Sequence, residues 1–235
     1  GHDVAAVYTQ PAKPAGRGGH LRHTPLAAAA HELGIDVVEC PDINAPAAVE
    51  EMRALAADVM CVVDFGQFVR APARQAARLG AFNLHGSLLP ALRGAAPVNW
   101  AIIRGLERTG VTTFSLVDRM DAGPIYAQAA TDIGPEESAE DLKPRLAQLG
   151  AGVVCRTLDM LAAGTEPTPQ DESLVTFAPQ LKKSDGTLPV FPQRRGDLHV
   201  AEGLPEQLFA EGTAGRYRIV FHGLQVDKGG ENRYK

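Results

Sequence analysis

The sequence predicts an α/β protein with a doubly wound, mostly parallel β-sheet, followed by an irregular C-terminal tail. Short apolar runs typical of buried strands alternate with alanine- and leucine-rich segments typical of helices as far as about residue 163. The chain has 235 residues, of which 45% are apolar and 22% charged. This size and composition suit one globular core with a small appendage.

The first half of the chain alternates predicted strands with predicted helices. The strands are expected at residues 4–9, 35–38, 58–63 and 81–84, and the helices at residues 26–33, 46–56 and 73–79. The first helix has the clearest signals, since Thr24 can cap its N-terminus, Pro25 fits its first position and Gly34 ends it.

The second half predicts a helix over residues 95–104, strands over 111–117 and 125–133, and a long helix ending near 163. Ser138 and Asp141 resemble a capping box at the start of that helix, with Asp in place of the usual Glu or Gln. From Ser184 the periodicity fades, apart from a strand candidate at residues 217–221.

We therefore divide the chain into a globular domain, residues 1–181, and a diverged or irregular segment, residues 182–235. A diverged appendage, a fused segment, a shifted reading frame and disorder all remain open for the second part.

Composition argues against several classes of protein. No run of eighteen apolar residues and no secretion signal is visible, so a cytoplasmic protein without a membrane association is expected. Cys40, Cys61 and Cys155 are odd in number and far apart, which favours free thiols over a disulfide or zinc framework. The net charge of −5 does not indicate nucleic-acid binding, and the one electropositive stretch, residues 11–23, is by charge alone a solvated loop.

The most informative polar pair is Asn83 and His85, which closes the apolar run at residues 81–84. In a strand, residues two apart point to the same side, so the amide and the imidazole would project together from the strand's C-terminal end. Open α/β sheets build their sites there. An isolated Asn-x-His pair can also simply cap a turn.

Three segments resemble the folate-dependent formyltransferases, most closely the branch that formylates methionyl-tRNA. They are residues 9–18, which include Pro-Ala-Gly-Arg-Gly; residues 83–97, which include Asn-Leu-His and Arg-Gly-Ala-Ala-Pro; and the Met-Asp-Ala-Gly at 120–123, with residues 171–178 downstream. The resemblance covers roughly residues 3–181 and implies a Rossmann-like formyltransferase domain.

The resemblance fails at both ends of the chain. Family members begin with a strand, a Gly-Thr-Pro loop and a helix before the equivalent of residue 1, and they carry a C-terminal barrel that is not recognisable here. A missing first strand would leave a gap in the sheet and expose the edges of its neighbours. Within the match, the Asp64-Phe65-Gly66 segment and Pro124 depart from the family's common residues.

The resemblance implies formyl transfer from 10-formyltetrahydrofolate to an amine, without a metal. Asn83 would stabilise the oxyanion and His85 would handle protons, while Asp121 would favour the protonated imidazole by charge pairing and orient a proton-relaying water. Asp118 competes with Asp121 on residue type, and only the family match selects Asp121.

The resemblance also implies binding residues. Those expected to line the folate pocket are Phe65, Gly66, Gln67, Phe68, Ser87, Leu88, Leu89 and Pro90. Arg17, between glycines, is expected to contact the acceptor end of initiator methionyl-tRNA. A monomer is expected.

Two alternatives stay open at this point: formylation of an amino sugar or a nucleotide precursor by the same residues, and an inactive folate- or tRNA-binding fragment. No metal is expected. His20 and His23 have a helical ligand spacing, but the neighbouring glycines and Pro25 disfavour a helix and no third ligand is nearby.

Overall fold

The computed structural model describes residues 2–15, 20–182 and 218–223. Its main sheet has seven strands, which lie in the following order: β4 (Val37–Glu39), β1 (Asp3–Thr9), β9 (Arg218–Gly223), β5 (Val59–Val63), β6 (Ala81–His85), β7 (Arg108–Ser115) and β8 (Ile125–Asp132). The strands from β4 to β6 pair in parallel, whereas β7 is antiparallel to both β6 and β8. Strands β2 (Lys13–Ala15) and β3 (His20–Arg22) form a separate antiparallel pair.

Helices cover both faces of the sheet, as a doubly wound fold requires. They are α1 (Pro25–Glu32), α2 (Pro46–Ala54), α3 (Ala71–Arg74), α4 (Pro97–Ile103) and α5 (Ala139–Ala162). In β5, Met60 and Val62 join the apolar cluster that contains residues of α2 and α3, whereas Val59 and Cys61 join the cluster on α5. This alternation confirms the predicted α/β, mostly parallel architecture. In the part of the chain that the structure describes, we find no helix with the length and apolar character needed to cross a bilayer.

The predicted elements are largely present. Thr24 caps α1 by accepting a hydrogen bond from the Ala27 amide, and the capping box of Ser138 and Asp141 opens α5. Each of these local signals sits directly beside the element that it specifies, which explains why it could be predicted from the sequence.

The helix predicted at residues 73–79 is wrong, because the observed helix α3 ends at Arg74. The amides of Arg78 and Leu79 donate instead to the carbonyl oxygens of Ala57 and Asp58, at 3.2 and 2.7 Å. These long-range hydrogen bonds hold the segment against the start of β5, and they replace the intrahelical bonds that would have extended the helix.

The prediction that the sheet has a gap is also wrong. Strand β9, close to the candidate at residues 217–221, lies between β1 and β5 and pairs in parallel with both. Val220, for example, is in register with Ala6 on one side and with Met60 on the other. Both strand edges that the expected gap would have exposed are therefore paired. The division of the chain at residue 181 stays a prediction, and β9 is the part of the C-terminal segment that the sheet includes.

Candidate active site

Strand β6 places Asn83 and His85 on one face of the sheet. Phe82 and Leu84 pack in the apolar clusters on the α5 side, whereas Ala81 packs against the opposite cluster, which contains residues of α2 and α3. By the alternation of a strand, Asn83 and His85 face away from α5. His85 is also the last residue of β6, so the following loop begins directly beside its imidazole.

The His85 imidazole has a polar neighbour at each of its nitrogen atoms. Its Nε2 lies 2.8 Å from the carbonyl oxygen of Leu92, and its Nδ1 lies 3.8 Å from Oδ2 of Asp121. A carbonyl oxygen can only accept, so Nε2 carries a hydrogen and donates it. In the neutral ring this leaves Nδ1 with a free lone pair on the side of Asp121, and Nδ1 is the atom that can take up a proton.

Asp121 lies on the turn between β7 and β8, with a φ of +51° in the left-handed region. Its Oδ2 accepts a hydrogen bond from the Gly94 amide at 2.8 Å, and its side chain is 14% exposed. The 3.8 Å to the imidazole is too long for a direct hydrogen bond but close enough for the carboxylate to stabilise a protonated ring.

Asp118, the competitor of Asp121 on residue type, does not join this group. Its carboxylate accepts a hydrogen bond from Arg74 Nη2 at 2.7 Å, and its side chain is 82% exposed. The structure therefore brings together His85 and Asp121 and leaves Asp118 in an ion pair on the surface.

Asn83 is half-buried, in register with Val62 of β5 and Phe114 of β7. Among the residues that the structure describes, no hydrogen-bond partner engages its side-chain amide. A primary amide on the face that holds His85 can donate to an oxyanion that forms there. The predicted trio thus comes from one strand, β6, and the turn between β7 and β8 of the same sheet.

The first group of predicted folate contacts lies on the loop after β5. Phe65 is buried, Gly66 has a φ of +73°, and Phe68 is 46% exposed. The Gln67 side chain accepts from the Ile43 amide at 2.9 Å and donates to the Cys40 carbonyl at 3.2 Å, so it fastens the neighbouring loop instead of facing a ligand. Only the backbone of Gln67 remains a candidate for recognition.

The second group, residues 87–90, is tied to β7 and β8 by a polar network. The Thr112 hydroxyl donates to the Ser87 carbonyl and accepts from the Leu89 amide, at 2.7 and 3.0 Å. The Gln128 amide donates to both the Leu89 carbonyl and the Thr112 hydroxyl. These bonds fix the course of the backbone, and the Leu89–Pro90 peptide bond is cis. As contacts of a folate, residues 65–68 and 87–90 remain predictions.

Two functional candidates were missed by sequence reasoning, Arg93 and Gln170. Arg93 is only 3% exposed and donates to Gln170 Oε1 through Nε and Nη2, at 3.0 and 2.7 Å. Gln170 in turn donates to the carbonyl oxygens of Asp121 and Gly123. In the sequence, Arg93 carries a signal only as part of the Arg-Gly-Ala-Ala-Pro run, and a lone glutamine carries no local signal.

Arg17, the predicted tRNA contact, lies outside the described residues. Among the described residues, His, Cys, Asp and Glu form no group of three or more that could hold a metal ion.

Comparison with known proteins decides the family. Residues 1–158 match the family described as formyl transferase. The chain belongs to the formyl transferase family. Among its relatives, a methionyl-tRNA formyltransferase from Solibacter usitatus (strain Ellin6076) is 44% identical over 189 residues, which are 80% of this chain and 61% of that protein. This chain therefore spans about three fifths of the length of the curated relatives it matches.

Solved structures of formyl transferases share the fold. Glycinamide ribonucleotide transformylase 1 from Symbiobacterium toebii superposes with a TM-score of 0.54 and 26% identity, over 60% of this chain and 73% of that one. The formyltransferase PseJ from Anoxybacillus kamchatkensis gives a TM-score of 0.56 over 77% of this chain and 88% of that one, at 17% identity. At that identity the PseJ likeness shows the fold alone.

Proposed function

We propose that this formyl transferase moves the formyl group of 10-formyltetrahydrofolate to the amino group of methionyl initiator tRNA. The observation that carries the proposal is the pairing of His85 Nδ1 with Asp121 Oδ2 at 3.8 Å, on the sheet face that also holds Asn83. Formyl transfer to an amine needs a proton handler, a group that stabilises it and an oxyanion donor. The residue types of this trio supply one each.

The reaction follows from the positions of these groups. The acceptor amine attacks the formyl carbon, a carbon–nitrogen bond forms, and the carbonyl electron pair moves onto oxygen, where the Asn83 amide donates a hydrogen bond. His85 Nδ1 removes a proton from the attacking nitrogen, and the Asp121 carboxylate stabilises the resulting cation. As the bond to folate N10 breaks, the same proton passes to that nitrogen, and the imidazole is neutral again.

The folate donor is supported by the family and by the neighbouring loops. The structure of PseJ contains tetrahydrofolate, and that protein shares this fold. In the proposed complex, the backbone of residues 65–68 and the side chains of Leu88 and Pro90 line the folate, while the Gln67 side chain keeps its contacts with the loop before α2.

The acceptor is supported by the relatives named methionyl-tRNA formyltransferase, which are 40–44% identical to this chain. Neighbours that act on other amines reach at most 26% identity among those compared above. Arg17 is the proposed contact with the tRNA acceptor end. We propose a monomer that works in the cytoplasm, where charged initiator tRNA is used.

The central test measures formyl transfer by the purified 235-residue chain, with 10-formyltetrahydrofolate and methionyl initiator tRNA as substrates. Formylmethionyl-tRNA is expected, and His85→Ala should lower kcat/KM by about 100-fold or more, the usual contribution of a positioned acid–base group. The matched control is His31→Ala, which alters an exposed histidine of α1. No transfer by the folded wild-type chain, or equal transfer by the two variants, would refute the proposal.

A second pair of variants tests the assignment of the carboxylate. Asp121→Asn should lower kcat by about 10- to 100-fold, since a neutral amide cannot stabilise the protonated imidazole. Asp118→Asn keeps the shape of a residue three positions away and should leave kcat within twofold of wild type. Equal losses in both variants would point to a general effect of the turn and remove Asp121 from its role.

Competition among acceptors separates the proposed substrate from the alternatives. Methionyl initiator tRNA, an amino sugar nucleotide and glycinamide ribonucleotide are offered together, and the formylated products are quantified. A preference for either small molecule would transfer the proposal to that class of acceptor. Folate binding by calorimetry without any formyl product would identify a binding fragment instead.

A further inference from the structure

The backbone of Asp121 has a conformation that needs support from outside its own turn. Its φ of +51° is unusual for a residue with a side chain, because the β-carbon approaches the following carbonyl in the left-handed region. Gly123 adds a second constraint, since a β-carbon at that position would lie 1.7 Å from the Ser115 carbonyl oxygen. The turn is therefore pressed against the end of β7 and has little freedom to adjust.

Gln170 supplies that support through both hydrogens of its amide. Its Nε2 donates to the Asp121 carbonyl oxygen at 2.9 Å and to the Gly123 carbonyl oxygen at 2.7 Å. The two bonds bridge the turn from one carbonyl to the other and fix the orientation of the peptide groups on both sides of the carboxylate.

The amide of Gln170 can take only one orientation. Its Oε1 accepts from Nε and Nη2 of Arg93, and a guanidinium has donors but no acceptor. The oxygen must face Arg93, and the NH2 group must therefore face the two carbonyls of the turn. Arg93 is itself buried and paired with Glu172 at 3.0 Å, so the glutamine is held by a group with little mobility.

Arg93 also belongs to a tripeptide, residues 92–94, that contacts both His85 and Asp121. The Leu92 carbonyl accepts from His85 Nε2, and the Gly94 amide donates to Asp121 Oδ2. Between them, the Arg93 side chain orients the glutamine that holds the backbone of Asp121. Residues 92–94 thus position the imidazole, the carboxylate and the Gln170 side chain that bridges the turn.

We infer that Gln170 is a positioning residue, which sets the distance and direction between the Asp121 carboxylate and Nδ1 of His85. This inference rests on the proposed function for its consequence in the reaction. The position of the Asp121 carboxylate relative to the His85 ring can be tested without a substrate.

The segment that carries Gln170 is fastened independently of its side chain. Thr168 and Ile125 exchange two backbone hydrogen bonds, at 2.7 and 2.8 Å. Further along, the Arg93 amide donates to the Thr176 carbonyl at 2.9 Å, and its carbonyl accepts from the Ala178 amide at 2.7 Å. A change confined to the Gln170 amide should therefore leave the segment in place and alter only the turn.

The test compares Gln170→Glu with Gln75→Glu. The first keeps an oxygen for Arg93 but replaces the NH2 donor with an oxygen that faces two carbonyls. The second is its matched control, because it makes the same change in an exposed glutamine at the C-terminal end of α3. In Gln170→Glu, kcat should fall by about 10- to 100-fold, as for a misplaced catalytic group, with the KM of both substrates within twofold of wild type. Gln75→Glu should change neither constant by more than twofold.

NMR spectra of the His85 ring, recorded without substrate, separate failure of this inference from failure of the proposed function. Both Gln170→Glu and Asp121→Asn should change the chemical shifts of the ring, since the first displaces the carboxylate beside Nδ1 and the second replaces it with a neutral amide. The His85 chemical shifts in Gln75→Glu should match wild type. If the shifts change as expected but no chain forms product, the positioning role stands and the proposed function falls.

Unchanged His85 chemical shifts and an unchanged kcat in folded Gln170→Glu would overturn the inference. Folding is checked by circular dichroism, and Gln170→Met, which has a similar length and no charge, replaces the glutamate variant if that protein fails to fold. The methionine variant also loses both donors, so a change in the His85 chemical shifts is expected from it, and unchanged shifts refute the inference equally.

Discussion

Replacing Val220 with proline tests the position of β9 at the centre of the sheet. Val220 is in register with Ala6 of β1 and Met60 of β5, so its backbone lies between two paired strands. Proline has no amide hydrogen, and its ring obstructs a strand that has neighbours on both sides. A strand at this position should tolerate the substitution poorly, whereas an unpaired segment should accept it.

The size of the effect follows from the hydrogen bonds that are lost. One ladder bond contributes about 1 kcal/mol net, and its carbonyl partner, left buried without a donor, costs about 1–3 kcal/mol more. The loss is then about 2–4 kcal/mol before any steric clash, which for a chain of this size lowers Tm by about 4–16 °C.

The assay is thermal unfolding followed by circular dichroism, with Val220→Ala as the matched control. The alanine variant also shortens the side chain but keeps the amide hydrogen. The difference in Tm between the two variants therefore isolates the contribution of the backbone. We expect Tm of Val220→Pro to lie below that of Val220→Ala by the amount given above. Equal values of Tm would show that β9 contributes nothing to the sheet and would refute this account of how the sheet is completed.

Two further predictions concern acid stability and helix α5. Hydrogen bonds from arginines, Arg93 foremost, hold the pKa of Glu172 below its ordinary value of 4.5, so its contribution to stability is present above that pH and is lost as the pH falls through the lowered pKa. Urea unfolding of wild type and Glu172→Gln should therefore differ most above about pH 5 and converge below it, and a constant difference would contradict this reading. In α5, Gly152→Ala should raise the free energy of unfolding by about 0.5–1 kcal/mol, because an added methyl meets open space in a helix. Gly150→Ala should lack that gain, since its methyl would lie 2.6 Å from Leu84 Cδ2; equal gains in urea unfolding would show that Leu84 moves aside freely.

Most elements of the fold could be predicted from the sequence, because their signals are local. The Thr24 cap and the Ser138 capping box each act within three residues of the helix that they start. The common side of Asn83 and His85 follows in the same way from the two-residue alternation of a single strand. Where the end of a helix depends on distant carbonyls, as at Arg78 and Leu79, the same local reasoning fails.

The parts that could not be predicted depend on pairing between distant segments. The pattern at residues 217–221 predicts a strand but contains nothing that selects β1 and β5 as its neighbours, because register and partner are set by the whole sheet. Asp118 and Asp121 illustrate the same limit within the site. Residue type alone could not separate them, and the family resemblance selected the one that the structure places beside His85.

The unit that holds the site is longer than the family match suggests. That match ends at residue 158, whereas the Asp121 turn is bridged by Gln170 and the tripeptide 92–94 is bound by backbone groups of Thr176 and Ala178. Each of these contacts joins residues at least 47 positions apart in the chain, so none can form from the matched region alone. The geometry of the pair therefore depends on the segment after α5, and variation in that segment can alter the site without changing any residue of the trio.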